Sequence, residues 1–269
     1  MTFTRRTVKR DVVFQGSGLH SGVPVEVTVR PGSDGIQFAC GRERTRAKPE
    51  NVTDTSRCTR LGGISTVEHL MSALGGLGIT DADVELTAPE LPAVDGCSAV
   101  YATALVAAGT EDLGQAVVSG LYARVFVQDQ RAKIAISTGA GHWRYTFECG
   151  ARWPHSMTHE AGDVCSEYAS EIAPARTFGF EEELPAILEA GMAQGLDLST
   201  ALVLGQTGYR NEALFQDEPA RHKLLDLIGD LWLAGVPMGF LNVTAERSGH
   251  RLNVEAAARL AQCVTISGT

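Results

Sequence analysis

The feature that most limits what this chain can become lies in residues 218–233, EPARHKLLDLIGDLWL. Its apolar residues recur at helical spacing, and His222, Asp226 and Asp230 fall at i, i+4 and i+8, so their side chains share one face of a single helix. Leu224, Leu225, Leu227 and Ile228 cover the other sides, which sets the polar stripe among core residues rather than in water. A stripe in such surroundings requires a partner, either a metal ion or complementary groups from another element. The spacing alone is a weak signal, because His-x3-Asp pairs arise by chance and a solvated His/Asp face is the commoner outcome.

A second histidine offers that partner. Residues 66–77 read as a helix, with Val67, Leu70, Met71 and Leu74 on one stripe, Gly75, Gly76 and Gly78 near its end, and Glu68-His69 at its opening. If the two helices face each other, two imidazoles and one carboxylate make a three-ligand set with a fourth position left for water, as hydrolytic zinc sites require. Glu68 sits about 100° further around the helix than His69 and would reach that water instead of the metal. An acidic residue also simply favours a helix N-terminus. Ser248-Gly249-His250 reads as a turn between a strand over 238–244 and a last helix over 253–263, and Asp230 is a natural partner to keep His250 protonated. The hydroxyl of Thr177, in ARTFGF, can donate to an oxyanion or cap the helix that follows. The glycine-rich residues 16–22, GSGLHSG, lack a following Lys-Ser/Thr and open a strand, which excludes a nucleotide-triphosphate loop.

At 269 residues the chain is long for one core, so two domains are expected, divided in the small, acidic stretch 109–114 into residues 1–113 and 114–269. In the first, Val25, Val27 and Val29 alternate with polar residues as a half-buried strand, another strand is expected over 83–87, and Ser98 opens a helix to residue 108. In the second, Leu121, Ala123, Val125 and Val127 alternate, as do Trp143, Tyr145, Phe147 and Cys149, before helices over 181–193, 218–233 and 253–263 and a short buried strand over 201–204. Each half mixes a sheet with helices, an α+β pattern rather than strict βαβ alternation. Each also places a histidine at the start of an apolar helix that runs to a glycine, a faint internal echo.

The balance of 23 Lys+Arg against 32 Asp+Glu, a formal charge of −9, opposes contact with a phosphate backbone, so no nucleic acid partner is expected. A few local basic residues can still hold one phosphorylated metabolite. No run of 18 apolar residues and no apolar stretch behind the basic N-terminus occur, so no transmembrane segment is expected and a cytoplasmic chain is. The six cysteines show no CxxC spacing and read as reduced packing residues.

Six segments, in order and over nearly the whole chain, carry a resemblance: RTVKRDVVFQGSGLHSG (6–22), ISTVEHLMSALGGLGI (64–79), ELPAVDGCS (90–98), ARTFGF (175–180), DEPARHKLLDLIGDLWLAG (217–235) and SGHRLNV (248–254). They are similar to those of the UDP-3-O-acyl-N-acetylglucosamine deacetylases of Gram-negative bacteria. The resemblance implies two similar small domains facing each other across the active site, with His69, His222 and Asp226 as ligands of a zinc or iron(II) ion. It implies Glu68 as general base and His250 as the cation that stabilises the oxyanion and protonates the leaving amine. It further implies Thr177 as a contact of the tetrahedral intermediate, Lys223 as a contact of the substrate or intermediate, Asp230 as the partner of His250, and Phe178 and His20 as substrate-binding residues. The implied partner is a UDP-linked acylated amino sugar of lipid A synthesis, and a monomer is expected.

Departures from the family pattern keep two alternatives in view, a related zinc deacetylase acting on another N-acetyl sugar and a non-catalytic binding protein with the same fold. Only TRLGG separates Cys58 from Ile64 where a longer hairpin is usual, and residues 205–214 look shortened. Residues 157–173, MTHEAGDVCSEYASEIA, offer only Met157, Val164, Tyr168 and Ile172 to an acyl passage, which is therefore expected to be short or poorly sealed.

Overall fold

A computed structural model describes residues 1–121 and 124–268. The described residues form six α-helices: α1 (Glu68–Gly76), α2 (Ala99–Ala108), α3 (Val164–Glu167), α4 (Leu184–Glu189), α5 (Glu218–Trp232) and α6 (His250–Cys263). The two halves of the chain each build a five-stranded sheet. In the first, the order is Val12–Ser17, Pro24–Arg30, Ala82–Leu86, Ile36–Cys40 and Glu43–Arg46, antiparallel except for the pair Ile36–Cys40 and Ala82–Leu86. In the second, it is Val125–Asp129, Ala132–Thr138, Leu241–Glu246, Trp143–Glu148 and Ser156–Ala161, antiparallel except for Leu241–Glu246 and Trp143–Glu148.

Numbered along the chain within each half, both sheets read 1-2-5-3-4, with the last strand inserted parallel to the third. The inserted strand is preceded by α1 in one half and α5 in the other, and followed by α2 and α6. The faint echo around His69 and His222 is thus a repeated topology, and the two histidines stand on equivalent helices. The architecture is α+β, as the periodicities imply.

The helices α1 and α5 pack directly on each other, and glycines set how closely. A Cβ on Gly229 of α5 would overlap the carbonyl oxygen of Glu68 and lie 2.9 Å from its carbonyl carbon. A Cβ on Gly75 would lie 2.9 Å from Trp232 Cγ, and one on Gly76 would overlap the Tyr168 ring. Gly75 and Gly76 therefore serve packing inside α1, and it is Gly78, at φ +66°, that follows the helix as its stop.

A third sheet, ordered Thr2–Val8, Thr110–Ser119, Thr265–Gly268, joins both chain ends to the middle of the chain. The stretch expected as a linker is therefore the start of its central strand. Its small residues serve a β-bulge: the register shifts between Arg5 and Arg6, opposite Gly114, which sits at φ +108°. Other boundaries move too. The helix expected over 181–193 is a 3-10 turn, Glu181–Glu183, followed by α4 and ended by Gly191 at φ +70°. Residues 157–173 supply an edge strand, then α3 and a π turn, with Val164, Tyr168 and Ile172 fully buried in the core. Packed there, those side chains line no passage. Ala123, read as part of an alternating strand, lies outside the described residues. No helix of the described residues is long and apolar enough to cross a membrane.

Candidate metal centre

The polar stripe of α5 meets the opening of α1. His69 Nε2 lies 3.6 Å and His222 Nε2 3.5 Å from Asp226 Oδ1, and the three prospective ligand atoms all lie within 4.8 Å of one another. The two imidazole rings stand nearly perpendicular, at 88°, with centroids 5.1 Å apart. All three side chains are buried.

This arrangement fits a divalent metal on two counts. Tetrahedral ligands at zinc bond lengths are separated by about 3.4 Å, close to the two distances from Asp226 Oδ1. That same oxygen is buried and has no hydrogen-bond partner among the described residues, an arrangement that a cation would satisfy. His222 is prepared as a ligand: its Nδ1 lies 3.0 Å from the carbonyl oxygen of Ala175, which accepts the ring proton and leaves the Nε2 lone pair toward the cluster. Burial pushes the His222 imidazole down to about 3, keeping it neutral despite Asp226. Burial would raise the Asp226 carboxyl, but Lys223, at 2.8 Å from Oδ2, and the histidines outweigh it and hold the group well below the usual range.

Asp230, third in the stripe, turns away from the cluster to His250. Its Oδ2 accepts from His250 Nδ1 at 3.0 Å and from Asn253 Nδ2 at 2.9 Å, and its Oδ1 accepts the Thr59 hydroxyl at 2.5 Å. Burial lowers the His250 imidazole, yet Asp230 and Glu68 more than reverse this and push it up to about 9. His250 does not lie in the turn expected before the last helix. It is the first residue of α6, buried, with Gly249 before it. Its Nε2 lies 3.9 Å from Glu68 Oε1 and 3.9 Å from Asp226 Oδ2. Glu68 is itself buried, which raises its carboxyl, and its Oε2 accepts the backbone N–H of Thr59 at 3.0 Å.

These groups surround a small cavity of about 50 Å³, lined by Glu68, His69, His222, Asp226 and His250 together with His20, Thr177 and Lys223. Thr177 opens the strand Thr177–Phe180, paired parallel with Ala201–Leu204, so it caps no helix and instead borders the cavity. His20 comes from the turn after the strand Val12–Ser17, where Glu90 accepts its backbone N–H at 2.7 Å. Burial lowers its imidazole, whose Nδ1 has no partner among the described residues. Phe178 packs edge-on against His222, centroids 5.9 Å apart, and braces that side chain without lining the cavity. Sequence reasoning misses Thr59, Arg57, Glu90 and Asn253; Glu90 and Asn253 lie within segments that carry the resemblance, whereas Arg57 and Thr59 carry no local signal. Concavity would also mislead: a hollow of about 740 Å³ beside the C-terminal end of α5 holds none of these residues.

Comparison with known proteins matches residues 5–262 to the family described as UDP-3-O-acyl N-acetylglycosamine deacetylase. The chain is 36% identical to the UDP-3-O-acyl-N-acetylglucosamine deacetylase of Myxococcus xanthus, over 94% of this chain and 84% of that protein. It is 32% identical to the protein of that name from a Nostoc species, over 95% and 98% of the two chains. The one from Chlamydia muridarum is also 32% identical, over 97% and 96%.

Proposed function

Because the chain belongs to the UDP-3-O-acyl-N-acetylglucosamine deacetylase family, we propose that it hydrolyses the acetamide of UDP-3-O-acyl-N-acetylglucosamine, releasing acetate and UDP-3-O-acyl-glucosamine for lipid A synthesis. It is an amide hydrolase. The observation that carries the reading is the buried His69, His222 and Asp226 cluster with a carboxylate and a cationic imidazole on the same cavity.

His69, His222 and Asp226 would hold zinc, a set that suits iron(II) as well. When bound, such a metal supplies Lewis acidity, which polarises an amide carbonyl and makes a water easier to deprotonate. The remaining work falls to side chains. Glu68, with Oε2 tied to Thr59, presents Oε1 to the cavity and takes the proton of the attacking water. His250, with Nδ1 tied to Asp230, presents a protonated Nε2. It offsets the charge that grows on the carbonyl oxygen and then passes its proton to the leaving amine. The two groups lie close enough to titrate as a pair: burial raises the Glu68 carboxyl, while Asp230 and Glu68 overcome burial and hold the His250 imidazole protonated near neutral pH. The Thr177 hydroxyl and the Lys223 ammonium border the same cavity and bring further donors to the oxyanion, while His20 contacts the substrate and Phe178 braces the site beside the sugar. Despite the overall charge of −9, Arg57 and Lys223 stand on the cavity as basic side chains that could meet a diphosphate. The same reading takes the protein as a cytoplasmic monomer of two domains, with the expected boundary at 113/114 falling inside the strand Thr110–Ser119 that both chain ends pair with.

The test is turnover of UDP-3-O-acyl-N-acetylglucosamine, with metal analysis on the same sample. Release of acetate in proportion to bound metal is expected. Metal-loaded protein that leaves this substrate intact would overturn the reading, and equal turnover of unacylated UDP-N-acetylglucosamine would redirect it to a different N-acetyl sugar.

A further inference from the structure

Thr59 is fully buried, lies ahead of α1, and commits each of its polar groups. Its N–H donates to Glu68 Oε2 at 3.0 Å, and its carbonyl accepts the N–H of Val67 at 3.2 Å, one residue before α1 begins. Its hydroxyl donates to Asp230 Oδ1 at 2.5 Å and lies 3.3 Å from His250 Nδ1. Glu68 belongs to the first half of the chain, Asp230 and His250 to the second, so one residue touches the base, the acid and the carboxylate that orients the acid.

We propose that Thr59 is a positioning residue that sets the separation and orientation of Glu68 and His250 across the interface between the two halves. This rests on the acid and base roles given above. The N–H of Thr59 occupies Oε2 of Glu68 and leaves Oε1 for the cavity. The hydroxyl has one proton, and at 2.5 Å it goes to Asp230 Oδ1. With that oxygen occupied and Oδ2 taking the Asn253 amide, Asp230 is held so that Oδ2 also receives the His250 Nδ1 proton. His250 is then locked with Nε2 directed at the cavity, 3.9 Å from Glu68 Oε1. A purely structural role would ask only that the buried carboxylate have a donor, and would leave the tautomer and aim of His250 unaffected.

The variants Thr59→Val, nearly the same shape without the donor, and Thr59→Ser, the donor without the methyl, separate the two. With full-length, zinc-loaded protein, Thr59→Val is expected to lower kcat by about 10- to 100-fold, in line with the cost of misplacing a reacting group, with KM within about twofold and bound metal unchanged. Thr59→Ser should stay within about threefold of the parent. A second readout is independent of turnover: the downfield proton resonance of His250 Nδ1–H, identified by its loss in His250→Ala, should shift or broaden away in Thr59→Val and persist in Thr59→Ser. Parent-like kcat and an unmoved His250 resonance in Thr59→Val would overturn the proposal, as would a deficit in kcat wholly accounted for by lost metal or unfolded protein. If the parent protein fails to turn over the acylated sugar, the proposed function falls, while the resonance still decides whether Thr59 orients His250.

Discussion

Alanine at Gly229 perturbs the site through the backbone, without touching any side chain on the cavity. The added Cβ would overlap the Glu68 carbonyl oxygen and sit 2.9 Å from its carbonyl carbon and 3.1 Å from its Cα. All three are backbone atoms, so no side-chain rotation can relieve the contact. Ordinary carbon–carbon contact begins at about 3.5 Å, so α1 and α5 must separate by at least about 0.6 Å, and more to clear the oxygen. That is about three times the tolerance of about 0.2 Å on metal–ligand distances, and it moves Glu68 and His69 away from His222 and Asp226. Overpacking of this kind costs up to about 3 kcal/mol, and about 1 kcal/mol is recovered by removing a glycine from a helix interior. The net of about 2 kcal/mol corresponds to a fall in Tm of about 4–8 °C for a chain of this size. Thermal unfolding should be followed in the presence of a chelator, so that metal-linked stability does not enter, and metal affinity measured separately by competition. Affinity should fall by about tenfold or more, as when the supporting shell of a metal site is disturbed. Gly208→Ala, where an added Cβ meets nothing within 4 Å, is the control and should change neither quantity. A Gly229→Ala protein that melts with the parent and binds metal equally well would refute the argument that this close crossing sets the ligand geometry.

Two further outcomes follow from the site. His69→Ala or His222→Ala should strip the metal, because each removes one of three protein ligands, whereas Glu68→Ala should keep it and lose about 10² or more in kcat; metal analysis beside steady-state kinetics distinguishes them. The pH profile of kcat/KM should be a bell whose alkaline limb reflects loss of the His250 proton near the value of about 9 to which Asp230 and Glu68 raise it against burial. In Asp230→Asn the burial penalty is no longer countered by that carboxylate, so the imidazolium deprotonates more easily and the limb moves to lower pH; an unmoved limb would assign it to another group.

Features that depend on neighbours in the chain are legible from the order of residues alone. The stripe of His222, Asp226 and Asp230 and the apolar faces of α1 and α5 follow from helical periodicity, a local property, and so does the α+β alternation of elements. Residues 157–173 carry a local signal that points two ways: Val164, Tyr168 and Ile172 stand at i, i+4 and i+8, the spacing of one buried face, while the acidic residues between them suggest a poorly sealed passage. In the folded chain Val164, Tyr168 and Ile172 form that buried face. The start of α6 gives no such signal. No side chain caps it, so the usual Ser, Thr, Asp or Asn marker is missing one residue before His250, and that histidine reads as a turn residue.

The order of residues settles the chemistry on offer: two imidazoles and a carboxylate on helix faces that demand a partner, a glutamate beside one of them, and a third histidine with an aspartate to match. How these are shared out is a property of the folded chain. Asp226 goes to the cluster and Asp230 to His250 because α1 crosses α5 at Gly229 and α6 brings His250 and Asn253 against the far end of the stripe. Thr59, 171 residues from Asp230 in the chain, completes the pair. The strand over 110–119 likewise exists because both chain ends supply its ladder partners. Pairings across such separations are set by the closing of one half on the other, which depends on the summed packing of both cores, and no pattern of adjacent residues encodes them.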